Sequence, residues 1–168
     1  MNNQNKEVVI RISDAVISAT TAHFRDALKI NFLSTQQACG KASDIIKLRD
    51  LTTIIGFSGP LNALVAFSFD ISIVNTLLEI ETAGLDISDD ELVFFRQDVI
   101  AETINIVLGH STKSLAKSGE AICLSPPMMV EANGILRRPK DAVFIRVSIT
   151  TDTGIFDVFF ISPAYIEG

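Results

Sequence analysis

Glu102 and Asn105 stand three residues apart within "DVIAETINIVLGHSTKSL", residues 98–115, and Gly109 follows four residues later. At about 100° per helical residue the three share one face. A carboxamide carries both donor and acceptor, so it can hold a water molecule in a chosen orientation without changing its own protonation. A neighbouring carboxylate can grip a cation on a partner. Neither group is a strong nucleophile at neutral pH. The pair therefore suits positioning of water for hydrolysis better than covalent catalysis. Glu-x-x-Asn occurs once in the chain, so a single site is expected.

The helix that positions this pair has two distinct sides. Ile100, Ile104, Val107, Leu108 and Leu115 gather on one. Asp98, Glu102, Asn105, Gly109 and Lys113 gather on the other, bordered by Val99 and Ile106. A solvated face is the alternative reading of this second stripe, and Gly109 is what it leaves unexplained. A mid-helix glycine costs about 1 kcal/mol relative to alanine, which close approach of another molecule to the backbone would justify. Ser88 or Asp89 is the expected N-cap of a helix over about 90–117, with Gly119 as its stop.

Around it the patterning predicts one α+β domain over 1–168, a mostly antiparallel sheet with long helices packed on one face. Ser13 is the expected N-cap of an earlier helix in which Val16, Ala19, Ala22, His23 and Ala27 recur at helical spacing. A short strand over about 29–33 and a polar loop follow. "LTTIIGFSGPLNALVAFSFD" reads as a hairpin, and Asp70 caps a helix "ISIVNTLLEIE" that Gly84 ends. "AICLS" and "MMVEA" flank Pro126-Pro127, which bars regular ladder pairing at that point. "AVFIRVSITT" and "GIFDVFFIS" alternate around Asp152-Thr153-Gly154 as a second hairpin. Its apolar alternation suggests a sheet edge available to a second copy.

Composition narrows the function. A net charge of −6 argues against nucleic acid and anionic membrane as partners. The locally basic "LRRPK", residues 136–140, reads as a solvated loop. No apolar run approaches the roughly 20 residues that span a bilayer, and the polar N-terminus does not resemble a signal peptide. A cytoplasmic protein is expected. Cys39 and Cys123 form no Cys-x-x-Cys pair and are read as reduced thiols. With only His23 and His110 besides them, no intrinsic metal site is expected, and His23 is read as a half-buried structural residue.

"AETINIVLG" resembles the Glu-x-x-Asn-x-x-x-Gly signature of the CheC/CheX/FliY chemotaxis phosphatases. The hairpin before the second helix, the lead-in "SDDELVFFRQDV" and the proline-broken "ICLSPPMMVEANG" are similar as well, so residues 54–134 take part. The first fifty residues match in layout alone. Length and a single site are closest to CheX-like members. The earlier helix, "SDAVISATTAHF", lacks the second Glu-x-x-Asn of CheC-type members. The resemblance implies hydrolysis of the aspartyl-phosphate of a CheY-like response regulator. Asn105 would enter the regulator's site and orient the attacking water, while Glu102 engages a lysine there. Asp98, Ile106, Gly109 and Lys113 would contact the receiver domain, whereas His110 reads as a surface or packing residue and its place at the border of the partner's site as the alternative. Mg2+ would belong to the regulator and no cofactor to this chain. A homodimer joined through its sheets is also implied. The alternative is a non-catalytic module of the same fold that binds a regulator or joins an assembly like the flagellar switch. A structural dimer with a merely solvated stripe is a third reading.

Overall fold

The computed structural model describes residues 3–39, 45–116, 121–131, 134–137 and 142–162. The centre of its main sheet comes from the hairpin predicted around Asp152, with β8 (Phe144–Thr151) antiparallel to β9 (Ile155–Ile161) and Val147 opposite Val158. Because successive strand residues face opposite ways, Ile145, Val147, Ile149, Phe156, Val158 and Phe160 enter one core. Phe144, Phe159 and Ile161 enter another. β3 (Leu51–Ser58) and β4 (Ala63–Phe69) form the other predicted hairpin, and β4 pairs with β9. β1 (Phe32–Cys39) pairs with β8 and forms one edge. At the opposite edge, β5 (Cys123–Leu124) and β6 (Met128–Glu131) pair with successive parts of β3 on either side of Pro126-Pro127. Ser125 spans the break: its N–H donates to Gly56 O at 2.9 Å, and its Oγ accepts from Gly56 N–H at 2.9 Å. Every pairing in the sheet is antiparallel, and the α+β class is as expected.

Helices α1 (Asn3–Asp26), α2 (Ile71–Glu81) and α3 (Asp89–Leu115) pack on one face of this sheet. α1 buries Val9, Ile12, Val16 and Phe24; α2 buries Ile73, Val74, Leu77 and Leu78. The other face is covered by a small antiparallel pair, β2 (Ile45–Lys47) with β7 (Ile135–Arg137). Ile46 and Leu48 pack there with Phe144 and Phe159.

Several sequence expectations change. Ser13 does not cap α1, which begins ten residues earlier. Its buried hydroxyl donates instead to Ile10 O at 2.8 Å. The buried stripe of α1 is correspondingly Val9-Ile12-Val16-Thr20-Phe24, with Ala22 exposed and Ala27 beyond the helix. The strand expected over 29–33 starts at Phe32, because Lys29 adopts φ 58° and turns the chain out of the helix. The polar loop after it contains β2, and the first residues of the "LRRPK" loop lie in β7; residues 138–140 lie outside the described residues. Asp70 does occupy the N-cap of α2, but its side chain makes no cap bond; the first helical N–H, of Ile71, donates to Asp50 at 2.8 Å. The last hairpin supplies no edge, since β1 covers β8 and β4 covers β9.

One polar row crosses the face opposite the helices. Thr52, Ser68, Asp157 and Ser148 are register partners on β3, β4, β9 and β8. The Asp157 carboxylate is 2% exposed. It accepts from Arg49 Nε at 2.7 Å, from Arg146 Nη2 at 3.0 Å and from the Ser148 hydroxyl. Arg49 also donates from Nη1 to Asp70 at 2.7 Å. Burial disfavours the Arg49 charge, but its bonds to Asp157 and Asp70 more than offset this and raise its pKa. Asp157→Ala is expected to destabilise the fold by about 3 kcal/mol, the low end for breaking a buried pair because both arginines reach solvent. Denaturant titration measures this, and a loss below about 1 kcal/mol would remove Asp157 from the set of structural determinants.

Candidate functional site

α3 begins at Ser88, as the sequence suggests. The Glu91 carboxylate reaches back to accept from the Ser88 hydroxyl at 2.7 Å and the Ser88 N–H at 3.0 Å. These bonds, the hydroxyl first, hold the Glu91 carboxyl below the usual carboxylate range. The helix ends at Leu115, two residues before the expected boundary; Lys117 and the proposed stop at Gly119 lie outside the described residues.

The helical phase is as predicted. Ile100, Ile104, Val107 and Leu108 are fully buried, and Leu115 nearly so. Glu102 and Asn105 face solvent, with Asp98 a turn before them and Lys113 two turns beyond. Val99, expected at the border of the polar stripe, is a core residue. Ile106 is half-buried and forms one shoulder of the face. Among the described residues, none hydrogen-bonds to or pairs with the side chain of Glu102 or Asn105. Both are therefore available to a partner, on a backbone fixed by the core beneath. Gly109 completes the face: a Cβ built there meets no atom within 4 Å. Packing within the chain does not require this glycine, so the bare backbone is open to something outside.

His110 is exposed, and α3 turns it away from Asn105 by about 140°. Its neighbour across the helix pair is His23 on α1, whose pKa is lowered by burial first and by His110 second, with Glu81 opposing. His110 thus lies off the Glu102–Asn105 face, on the side of α3 near α1. His23 is half-buried, as expected. Among the described residues no group of three His, Cys, Asp or Glu side chains could hold a metal ion, and Cys39 and Cys123 are free thiols. No helix among them is long and apolar enough to cross a membrane.

An antiparallel sheet backed by three helices on one face is the fold that CheX and CheC-like proteins share. The family model "Chemotaxis phosphatase CheX" matches residues 51–150, more than half of the chain, and the chain belongs to this family. Solved structures agree on the fold. A CheX chemotaxis protein from Desulfovibrio desulfuricans is 20% identical with a TM-score of 0.75, over 90% of this chain and 99% of the other. A CheC-like superfamily protein from Shewanella sp. PV-4 is 16% identical with a TM-score of 0.73, over 98% and 100%. A chain in the CheX–CheY–BeF3–Mg2+ complex of Borrelia burgdorferi is 17% identical with a TM-score of 0.63, over 89% and 97%. No curated protein matches the sequence significantly.

The two sides of α3 should separate in stability measurements. Leu108→Ala is expected to cost about 2–5 kcal/mol as a core truncation. Glu102→Ala should stay within about 0.5 kcal/mol of wild type, as surface changes do. Gly109→Leu should be neutral or stabilising, because leucine is the better helix former and the space is open. Equal losses for Leu108→Ala and Glu102→Ala in urea titrations would contradict the assigned phase.

Proposed function

We propose that this chain hydrolyses the aspartyl-phosphate of a CheY-like receiver domain. The observation that carries this reading is the pairing of Glu102 and Asn105, solvent-facing and without a partner among the described residues, on a helix whose opposite side is fully buried. A rigid amide can orient a water in line with the phosphorus, while Glu102 engages a lysine of the receiver. Membership of a phosphatase family and the CheX–CheY complex of Borrelia burgdorferi support a receiver as substrate. Mg2+ would be held by the receiver, with no cofactor on this chain, and the reaction belongs in the cytoplasm. Asp98, Ile106, Gly109 and Lys113 surround the pair and would meet the receiver's surface. A module that binds the receiver without turnover is the competing reading, and the kinetics below decide between them.

Phosphate release from a phosphorylated receiver tests the assignment. Asn105→Ala should retain binding while the rate falls by about tenfold to a hundredfold. Asn105→Asp should also be poor, because it brings negative charge to the phosphoryl group and lacks the amide donor. Glu102→Gln should weaken binding as well as turnover, most strongly at low salt. Full activity of Asn105→Ala would remove that residue from the mechanism. Wild-type release no faster than the receiver's own decay would favour the binding module.

A homodimer joined at β1 is the second part of the proposal. Residues 33–39 of this edge strand are all exposed and include neither a charged residue nor proline, so nothing protects the edge from pairing. Light scattering at high micromolar concentration should give twice the chain mass, and Thr35→Pro should shift it to the monomer. A strict monomer in the wild type would contradict the dimer.

A further inference from the structure

The face that carries Asn105 extends toward the start of α3 as far as Phe94. Phe94 lies eleven residues before Asn105, within about 20° of it around α3, and Asp98 and Glu102 fall between them. Phe94 is 74% exposed. Phe95 beside it is 36% exposed, and these are the only exposed phenylalanines among the described residues. Val93 has the helical phase of Ile100 and Ile104 yet is 54% exposed, so the first turns of α3 run past the edge of the core. Leu85, in the loop that leads into α3, is 61% exposed as well. A patch of this kind on a folded chain marks an interaction surface, since burying it within the chain would have been favourable.

We infer that Phe94, with Phe95 at its flank, is the apolar anchor by which this chain docks the receiver domain, against an apolar patch on that domain displaced from its phosphorylated aspartate. The inference deepens the phosphatase reading and rests on it. Two observations select this occupant. Phe94 and Asn105 are about 16 Å apart along the helix, at 1.5 Å per residue. A standard interface covers about 800 Å2 per partner, roughly 30 Å across, so one docked domain covers both. The second is the chemistry of the face itself. Among Asp98, Glu102, Asn105, Ile106, Gly109 and Lys113 the one large apolar side chain, Ile106, is already half-buried within the chain, whereas binding energy concentrates in buried aromatic side chains. Phe94 is the aromatic residue on that line.

The test uses the full chain with a CheY-like receiver, phosphorylated for turnover and loaded with beryllofluoride and Mg2+ for binding. Phe94→Ala is expected to raise both KM and Kd by at least about tenfold, by more than kcat falls. Phe94→Leu should recover much of the loss, and Phe94→Lys should behave like Phe94→Ala while guarding against aggregation. Unchanged KM and Kd in Phe94→Ala, with wild-type turnover intact, would overturn this inference alone. Unchanged Kd with a loss of the dimer in light scattering would assign the patch to a second copy and overturn it too. A wild type that neither binds nor dephosphorylates the receiver would overturn the phosphatase reading and this inference together.

Discussion

A single buried carboxylate holds the architecture in register. Asp157 sits at the middle of β9 with 2% exposure, where an unpaired charge would be costly. Arg146 and Ser148 reach it from β8 and Arg49 from the segment leading into β3. Arg49 carries the connection on to Asp70 at the start of α2. Sliding any of these strands by one residue would move its polar member to the helix side and strand the charge. The same register aligns Val65, Phe67, Phe156, Val158 and Val147 beneath the helices. α3 rests on that surface, so the placement of the Glu102–Asn105 face depends on a group on the other side of the sheet.

α3 meets two requirements that oppose one another. The proposed positioning of water would demand a backbone that does not yield, which burial of Ile100, Ile104, Val107 and Leu108 provides. The proposed docking would demand side chains without ties, and the opposite face offers Glu102 and Asn105, unpaired among the described residues, beside the bare backbone of Gly109. A helix satisfies both because its two faces are mechanically one body but chemically independent. A loop carrying the same residues would have to order itself on binding, with the entropy that entails.

Legibility in the sequence followed the strength of local signals. Both hairpins, α2 and the phase of α3 were readable because turn residues and apolar spacing agree there. The shared solvent face of Glu102 and Asn105 was readable for the same reason, by helical geometry alone. α1 was misjudged where a polar residue fills a core position: Ser13 satisfies its hydroxyl with Ile10 O and so does not mark a helix start. β2 and β7 are three residues each, too short for alternation to register, and their pairing is set by the surface they cover. The Arg49–Asp157–Arg146 cluster joins Arg49 to Asp157 across 108 positions, and no local pattern announces it. Phe94 was legible in principle, since its phase follows from counting back from Asn105, but exposure is a property of where the core ends.

The two edges of the main sheet are not equivalent. One is β1, eight residues long and regular after its early bulge. The other is divided into β5 and β6 by Pro126-Pro127, with Ser125 turning its hydroxyl into the ladder in place of a carbonyl. A strand arriving at that second edge would find short, interrupted rungs and two residues with no N–H to give. Growth by strand addition is thus one-ended. In the dimer proposed at β1 both outer ends of the joined sheet would be such interrupted edges, so the assembly would stop at a closed pair with no route to a fibre.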